Sequence, residues 1–244
     1  MDVVPSTAVP GGAGPSSVEL AVSTVIFSLR ADADGRGAGL GIPLVRRIRS
    51  PFQGMWALPG GMVPDDAGLE AAARHTLQET TALEPTYLEQ LYAFGDIDRS
   101  PDRRVVSIVY WALVRADEAG RVNVGENVKW FGADDLPALA FDHNLIVEYA
   151  LWRLRTKVEY GRIAHAFLGD TFTLSELREV HETVLRRELD PANFRRQIET
   201  SGAITPTDEV VLGGRHRPPR LYRFDTAVGL VDNGPLTSAS IPRP

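Results

Sequence analysis

Between Gly60 and Leu83 the chain reads GGMVPDDAGLEAAARHTLQETTAL: a glycine turn, an acidic loop, and a segment with helical apolar spacing at Leu69, Ala72, Ala73 and Leu77. On that segment Thr76, Glu79 and Thr80 stand at i, i+3 and i+4 and share one face. Carboxylates at this spacing would hold divalent cations, polarise a diphosphate and activate water. Only Glu79 is a carboxylate, and threonine hydroxyls lack the charge that offsets dehydration of Mg²⁺. Asp65 and Asp66 offer loop oxygens, which leaves residual metal chemistry open. The segment also fits an ordinary amphipathic helix behind a glycine turn. Upstream, Arg46, Arg47 and Arg49 can fork phosphate oxygens, and Trp56 can stack on or border a nucleoside. Each arginine taken alone fits a solvated strand edge equally well.

A second group lies near the C-terminus. In PANFRRQIETS, Phe194 and Ile198 are spaced to face inward, which leaves Asn193, Arg196, Gln197 and Thr200 as a polar strip on another face, with Arg195 at its margin. Arginine, asparagine and glutamine can read base edges in the major groove, and arginine can clamp phosphate. Arg215, His216, Arg217 and Arg220 in the hairpin that follows are placed for a wing crossing the DNA backbone or minor groove. Residues 162–224 hold ten Arg and no Lys against nine Asp or Glu, so position and not net charge carries this expectation. A solvated helix and a charged loop remain the plain alternative.

The elements that must position these groups are legible as patterns. VELAVSTVIFSL and LGIPLVRRI read as paired strands, YLEQLYAFGDI and RRVVSIVYWALV as two more, and NVKWFGADDLP as a further short one. Asp142 is a candidate cap for a helix through HNLIVEYALWRLRTKVEY, with Leu145, Tyr149 and Trp152 on one face. TLSE at Thr173–Glu176 is a capping-box sequence before the stripe Leu174, Leu177, Val180, Val184 and Leu185. Asp190 and Pro191 start a short helix that Gly202 stops. EVVLGGRHRPPRLYRF then turns at Gly213 and Gly214 as a hairpin. Helix, short helix and basic hairpin is the order of a winged helix-turn-helix.

The 244 residues suffice for one large domain or two modest ones, of which two is the better expectation, with 43% hydrophobic and 24% charged residues as in a soluble protein. No apolar run approaches the roughly 18 residues of a membrane span. Absence of cysteine excludes disulfides, thiolate nucleophiles and zinc fingers, and fits a cytoplasmic location. The net charge of −6 argues against nucleic-acid affinity spread over the whole surface. Residues 1–17 read as a disordered lead, 18–160 as an α/β (α+β) unit, 161–224 as the winged helix-turn-helix and 225–244 as a flexible tail.

WALPGGMV and the helix behind it resemble the Nudix box. With the pattern started at Gly61, the family's loop Glu falls on Ala67, its Arg-Glu on His75 and Thr76, its apolar position on Leu77, its Glu-Glu on Glu79 and Thr80, and its closing Gly-apolar on Ala82 and Leu83. RRIRSPFQGMWALPGG resembles the segment leading into the box in Nudix enzymes acting on ADP-ribose. That resemblance implies a Nudix-like sandwich with a cleft at Gly60, Gly61 and Glu79, to which Phe94 and Asp96 also belong, although Phe94 equally fits a core. FTLSELREVHETVL, LDPANFRRQIETSG and RPPRLYRF resemble the C-terminal domain of the Nudix-related transcriptional regulators of NAD metabolism, the NrtR family.

The family implies a homodimeric repressor of NAD biosynthesis or salvage genes. It would read double-stranded operator DNA and sense ADP-ribose or a related nucleotide as effector, with no required cofactor, no resident metal and no catalytic residue. A sensor that keeps its ligand has no use for the lost carboxylates. Such a nucleotide would act on DNA by favouring one arrangement of domains or protomers. The rival expectation is a Nudix pyrophosphohydrolase acting on ADP-ribose, with an appended domain for protein contacts.

Overall fold

The computed structural model describes residues 17–31, 38–83, 85, 87–122, 126–160, 163–210 and 218–225. The Gly213–Gly214 turn, Arg215, His216, Arg217, nearly all of the lead and most of the tail lie outside the described residues. A seven-stranded sheet is built around β1 (Glu19–Ala31), which runs parallel to β6 (Val105–Val114) and antiparallel to β2 (Ala38–Arg46). β5 (Tyr87–Phe94) flanks β6, while β3 (Trp56–Ala57) and β7 (Val128–Gly132) pair with β2. The short β4 (Gly60–Met62) pairs with the start of β1.

Side chains alternate across a strand, and here both faces are covered, so β6 and the Val25–Phe27 centre of β1 carry apolar residues in succession. Val25 and Phe27 of β1 and Val109, Trp111 and Leu113 of β6 join the cluster under α3 (His143–Tyr160). Their neighbours Ile26, Ala112 and Val114 pack with Leu77 of α1 (Leu69–Thr81), and Val22 and Tyr110 with Ala72 and Ala73 of the same helix. A single turn of helix, α2 (Ala116–Ala119), closes that side.

Two expectations about α3 are corrected. The face that meets the sheet is Ile146, Ala150, Leu154 and Val158, whereas Leu145 and Trp152 are exposed and Tyr149 turns toward Tyr92 and Phe94 of β5. The helix has apolar residues on more than one side, and the sheet took the stripe of smaller aliphatic side chains. The carboxylate of Asp142 clamps Arg99, at 3.0 and 2.8 Å, in place of capping the helix through its side chain.

In the C-terminal unit α4 (Leu174–Leu185) opens on a capping box: Thr173 Oγ1 accepts from the Glu176 amide at 3.2 Å, and Glu176 accepts from the Thr173 amide at 2.7 Å. α5 (Pro191–Thr200) is capped by Asp190, whose carboxylate accepts from the Asn193 amide at 2.8 Å. β8 (Ile204–Val210) and β9 (Arg220–Phe224) form the hairpin, and Phe172 bridges to Tyr222 beside it. The two units are not separated by a gap in packing. One buried cluster runs from Val25 and Trp111 through Leu154 and Val158 to Leu177, Phe194 and Tyr222. Ion pairs edge the junction: Asp134 with Arg155 at 2.7 Å and Arg186 at 3.5 Å, and Glu159 with Arg187 at 2.8 Å. Arg155 also donates to the Val184 carbonyl at 3.1 Å, tying α3 to the end of α4.

Candidate functional site

Beyond β2 the chain folds back on itself through residues 47–55. The Arg47 amide donates to the Met55 carbonyl at 2.9 Å and the Gly54 amide to the Arg47 carbonyl at 2.8 Å. This loop faces the ends of β1, β4 and β6 and the start of α3 across a cleft of about 320 Å³. Gly60 is required on its floor, because a Cβ there would lie 2.5 Å from the Val22 carbonyl oxygen. Phe52 and Phe141 both adopt left-handed backbone conformations, with φ of 61° and 57°, and their rings meet edge to face at 4.9 Å. Bulky residues rarely accept such φ values, and strain of this kind concentrates where a fold must present a particular surface.

Four arginines line the cleft, and their partners decide which can meet an anion. Arg99 is buried on Asp142, and Arg103 donates to Glu19 at 2.8 Å, a bond that raises its already high pKa. Arg49 has no hydrogen-bond or ion-pair partner among the described residues. Arg47 spends its Nε on the Pro51 carbonyl at 2.8 Å and stacks over Phe141 at 4.6 Å, which leaves its terminal nitrogens for a ligand. Partial burial lowers its pKa without removing its charge. Arg47 and Arg49 therefore carry the available positive charge.

His143, the first residue of α3, also lines the cleft. Its Nδ1 accepts from the Leu58 amide at 2.9 Å, so the neutral ring carries its proton on Nε2, as a hydrogen-bond donor. Burial drives its pKa down to about 4, with Asp142 opposing and Arg99 and Arg47 reinforcing the shift. On the floor, the buried hydroxyls of Ser23 and Ser107 meet at 3.1 Å. Two cationic forks, a neutral imidazole donor and hydroxyls suit phosphate oxygens beside a polyhydroxylated group.

Of the residues singled out from sequence, Arg47, Arg49, Gly60 and Gly61 line this cleft and the others do not. Arg46 is exposed and donates to the Gly54 carbonyl at 3.1 Å. Trp56 packs edge-on to Phe131 at 5.1 Å, and Phe94 lies against Tyr92 and Tyr149. Asp96 precedes the 3₁₀ turn Ile97–Arg99 that delivers Arg99. Glu79 is exposed on α1, 3.3 Å from His75. The Thr80 hydroxyl donates to the Thr76 carbonyl of its own helix at 2.6 Å. One carboxylate and an occupied hydroxyl do not fit the metal cluster that a Nudix helix would carry. The described residues contain no group of three His, Asp or Glu able to hold a metal ion. Arg99, Arg103, His143 and the two serines escaped sequence reading. The only signal was their residue type, since each partner lies tens of positions away.

On α5, Asn193, Arg195, Arg196, Gln197 and Thr200 are all exposed. Arg196 donates to the Asn193 side chain at 2.7 Å, Arg195 pairs with Glu199 at 3.1 Å, and the Thr200 hydroxyl bonds to the Arg196 carbonyl at 2.7 Å. Arg220 is exposed at the start of β9.

Residues 21–150 match the NUDIX domain model, and residues 164–224 match the model for the NrtR DNA-binding winged helix domain. Over 190 residues, 76% of each chain, the protein is 34% identical to the ADPR responsive transcriptional repressor NtrR of Acinetobacter baylyi. The chain belongs to the NrtR family. The crystal structure of Shewanella oneidensis NrtR complexed with a 27mer DNA superposes on this NrtR-family chain with a TM-score of 0.72 at 33% identity, covering 84% of this chain and 93% of that one. The Nudix half is also 34% identical, over 113 residues, to an ADP-ribose pyrophosphatase of Methanocaldococcus jannaschii, a match spanning 46% of this chain and 67% of that enzyme. No helix among the described residues is long and apolar enough to cross a membrane.

Proposed function

We propose that the chain is a transcriptional repressor of NAD biosynthesis or salvage genes that binds an ADP-ribose-like nucleotide in the cleft without hydrolysing it. The observation that carries this reading is the union, in one chain, of a winged helix with a Nudix helix retaining a single carboxylate at its three metal positions. Arg47, Arg49 and His143 receive the diphosphate, and α5 enters the major groove of operator DNA. A homodimer reads the two halves of a palindromic site. With Mg²⁺ or Mn²⁺ present, ADP-ribose remains intact on prolonged incubation. Metal-dependent turnover to AMP at enzyme-like rates would favour the pyrophosphohydrolase reading, to which the archaeal relative lends weight.

Arg196→Ala is expected to weaken specific operator binding by about 1–3 kcal/mol, as for loss of a base contact. Arg220→Ala should weaken specific and non-specific binding alike and lower the salt dependence. A mobility shift on operator and on random DNA separates the two, and no change in either variant would remove α5 and the hairpin from the DNA interface. Saturating ADP-ribose is expected to weaken operator binding roughly five- to 150-fold, with the reciprocal effect of operator on ADP-ribose affinity. Calorimetry with and without operator reads this coupling: equal affinities refute it, and tighter binding with DNA makes the nucleotide a co-repressor.

A further inference from the structure

A larger cavity, about 590 Å³, lies where the end of α3 meets α4 and α5, away from the nucleotide cleft. Its size falls in the range of roughly 300–1,000 Å³ typical of small-molecule sites. His181 of α4 lines it and is only 9% exposed. The His181 Nδ1 lies 2.8 Å from the Leu177 carbonyl, which can only accept, so Nδ1 bears the ring proton. Burial lowers the pKa of the ring and keeps it neutral. Nε2 is then a bare acceptor, and it has no hydrogen-bond partner among the described residues. This is the opposite tautomer to His143, which presents a donor to its own cleft. Among the described residues the buried side-chain nitrogens without a partner are those of Trp111 and Trp130, so Nε2 is not sealed in the core and is reached from the cavity, where a donating ligand can meet it.

The remaining lining narrows the chemistry. Phe194 stands edge-on to the His181 ring at 5.0 Å, and His165 stacks on Phe224 at 3.7 Å, giving flat aromatic walls among aliphatic side chains. At the rim Arg187 is paired with Glu159, Asp190 is engaged in capping α5, and Glu188 has no partner among the described residues. The uncommitted charge is therefore negative, which disfavours a phosphate. We propose that this cavity is a second small-molecule site, taking a planar heteroaromatic ligand, uncharged or cationic, that donates a ring N–H to His181 Nε2. Asn193 and Gln197, on the strip assigned to DNA, border the same cavity, so its occupant would touch side chains that the proposed function gives to DNA.

Indole and 1-methylindole test the assignment on the full chain, because they share a ring system and differ in the N–H. In protein carrying ¹⁵N-labelled histidine, indole should shift the His181 Nε2 resonance saturably, and 1-methylindole should bind at least about fivefold more weakly, the loss of one hydrogen bond. His181→Phe should abolish the preference between the probes. If that variant does not fold, the Nε2 resonance of the unaltered protein decides alone. Absence of a saturable shift at His181, or equal affinity for the two probes, overturns the proposal and leaves a space filled by water.

Discussion

Asp142→Ala is expected to lower folding stability by about 3–5 kcal/mol, because it leaves a buried guanidinium without its counter-charge. Arg99 is 5% exposed and Asp142 17%, and the two bonds between them, 3.0 and 2.8 Å, form a bidentate fork. Exposed pairs are worth little, since water solvates either partner when the other is removed. Water cannot do so for Arg99. Replacing both residues together, as Arg99→Met with Asp142→Leu, should recover most of the loss, because apolar side chains of similar volume remove the stranded charge with its partner. Urea denaturation of the three variants reads the comparison. A single-variant loss below about 1 kcal/mol would mean that the pair behaves as a solvated surface contact.

Acidification should destabilise the protein through His143, over a window set by its depressed pKa. An unfolded histidine titrates near 6.5, whereas burial holds His143 down to about 4. Above about pH 6.5 the ring is neutral in both states and the contribution to stability is complete. As the pH falls below that, the unfolded chain binds a proton that the folded chain refuses, and about 1.4 kcal/mol is lost per pH unit. The loss levels off near pH 4, where the folded ring titrates, after a total of about 3 kcal/mol. His143→Asn keeps an acceptor for the Leu58 amide and does not titrate. Its stability should therefore depend less steeply on pH between 6.5 and 4 than that of the unaltered protein. Denaturation midpoints at several pH values provide the test, and parallel slopes would contradict it. His181, also buried, adds a loss of the same sign to both proteins and cancels in the difference.

Local chemistry made much of the fold legible. The glycine turn before α1, the TLSE box before α4 and the Asp190-Pro191 start of α5 are signals contained within a few residues, and the structure has a helix behind each. The orientation of α3 was not legible, because periodicity identifies faces without saying which one a sheet will cover. The cleft was only partly so. Arg46 ends β2 paired with Trp56 in β3, while Arg47, one residue later, leaves the ladder and turns into the cleft. A single residue of register separates the two fates. Arg99 and Asp142 are 43 positions apart, and the Leu58 amide and His143 are 85 apart. Such pairings exist only once the chain is folded, and no spacing rule reaches them.

The position of α3 gives the molecule a mechanical ratio. The 18 residues of this helix span about 27 Å, with His143 at the cleft and Val158 and Glu159 at the DNA-reading unit. A rod of that length, pivoting at the cleft, moves its far end by about 0.5 Å for each degree of tilt. About seven degrees carries that end through 3.4 Å, one base-pair step along B-DNA. In the proposed homodimer, opposed displacements at both ends would change the separation of the recognition helices by roughly two steps out of a half-site spacing of about 10 base pairs. Under the proposed function, a tilt of a few degrees set at Arg47 and His143 would reach the scale on which DNA register is measured.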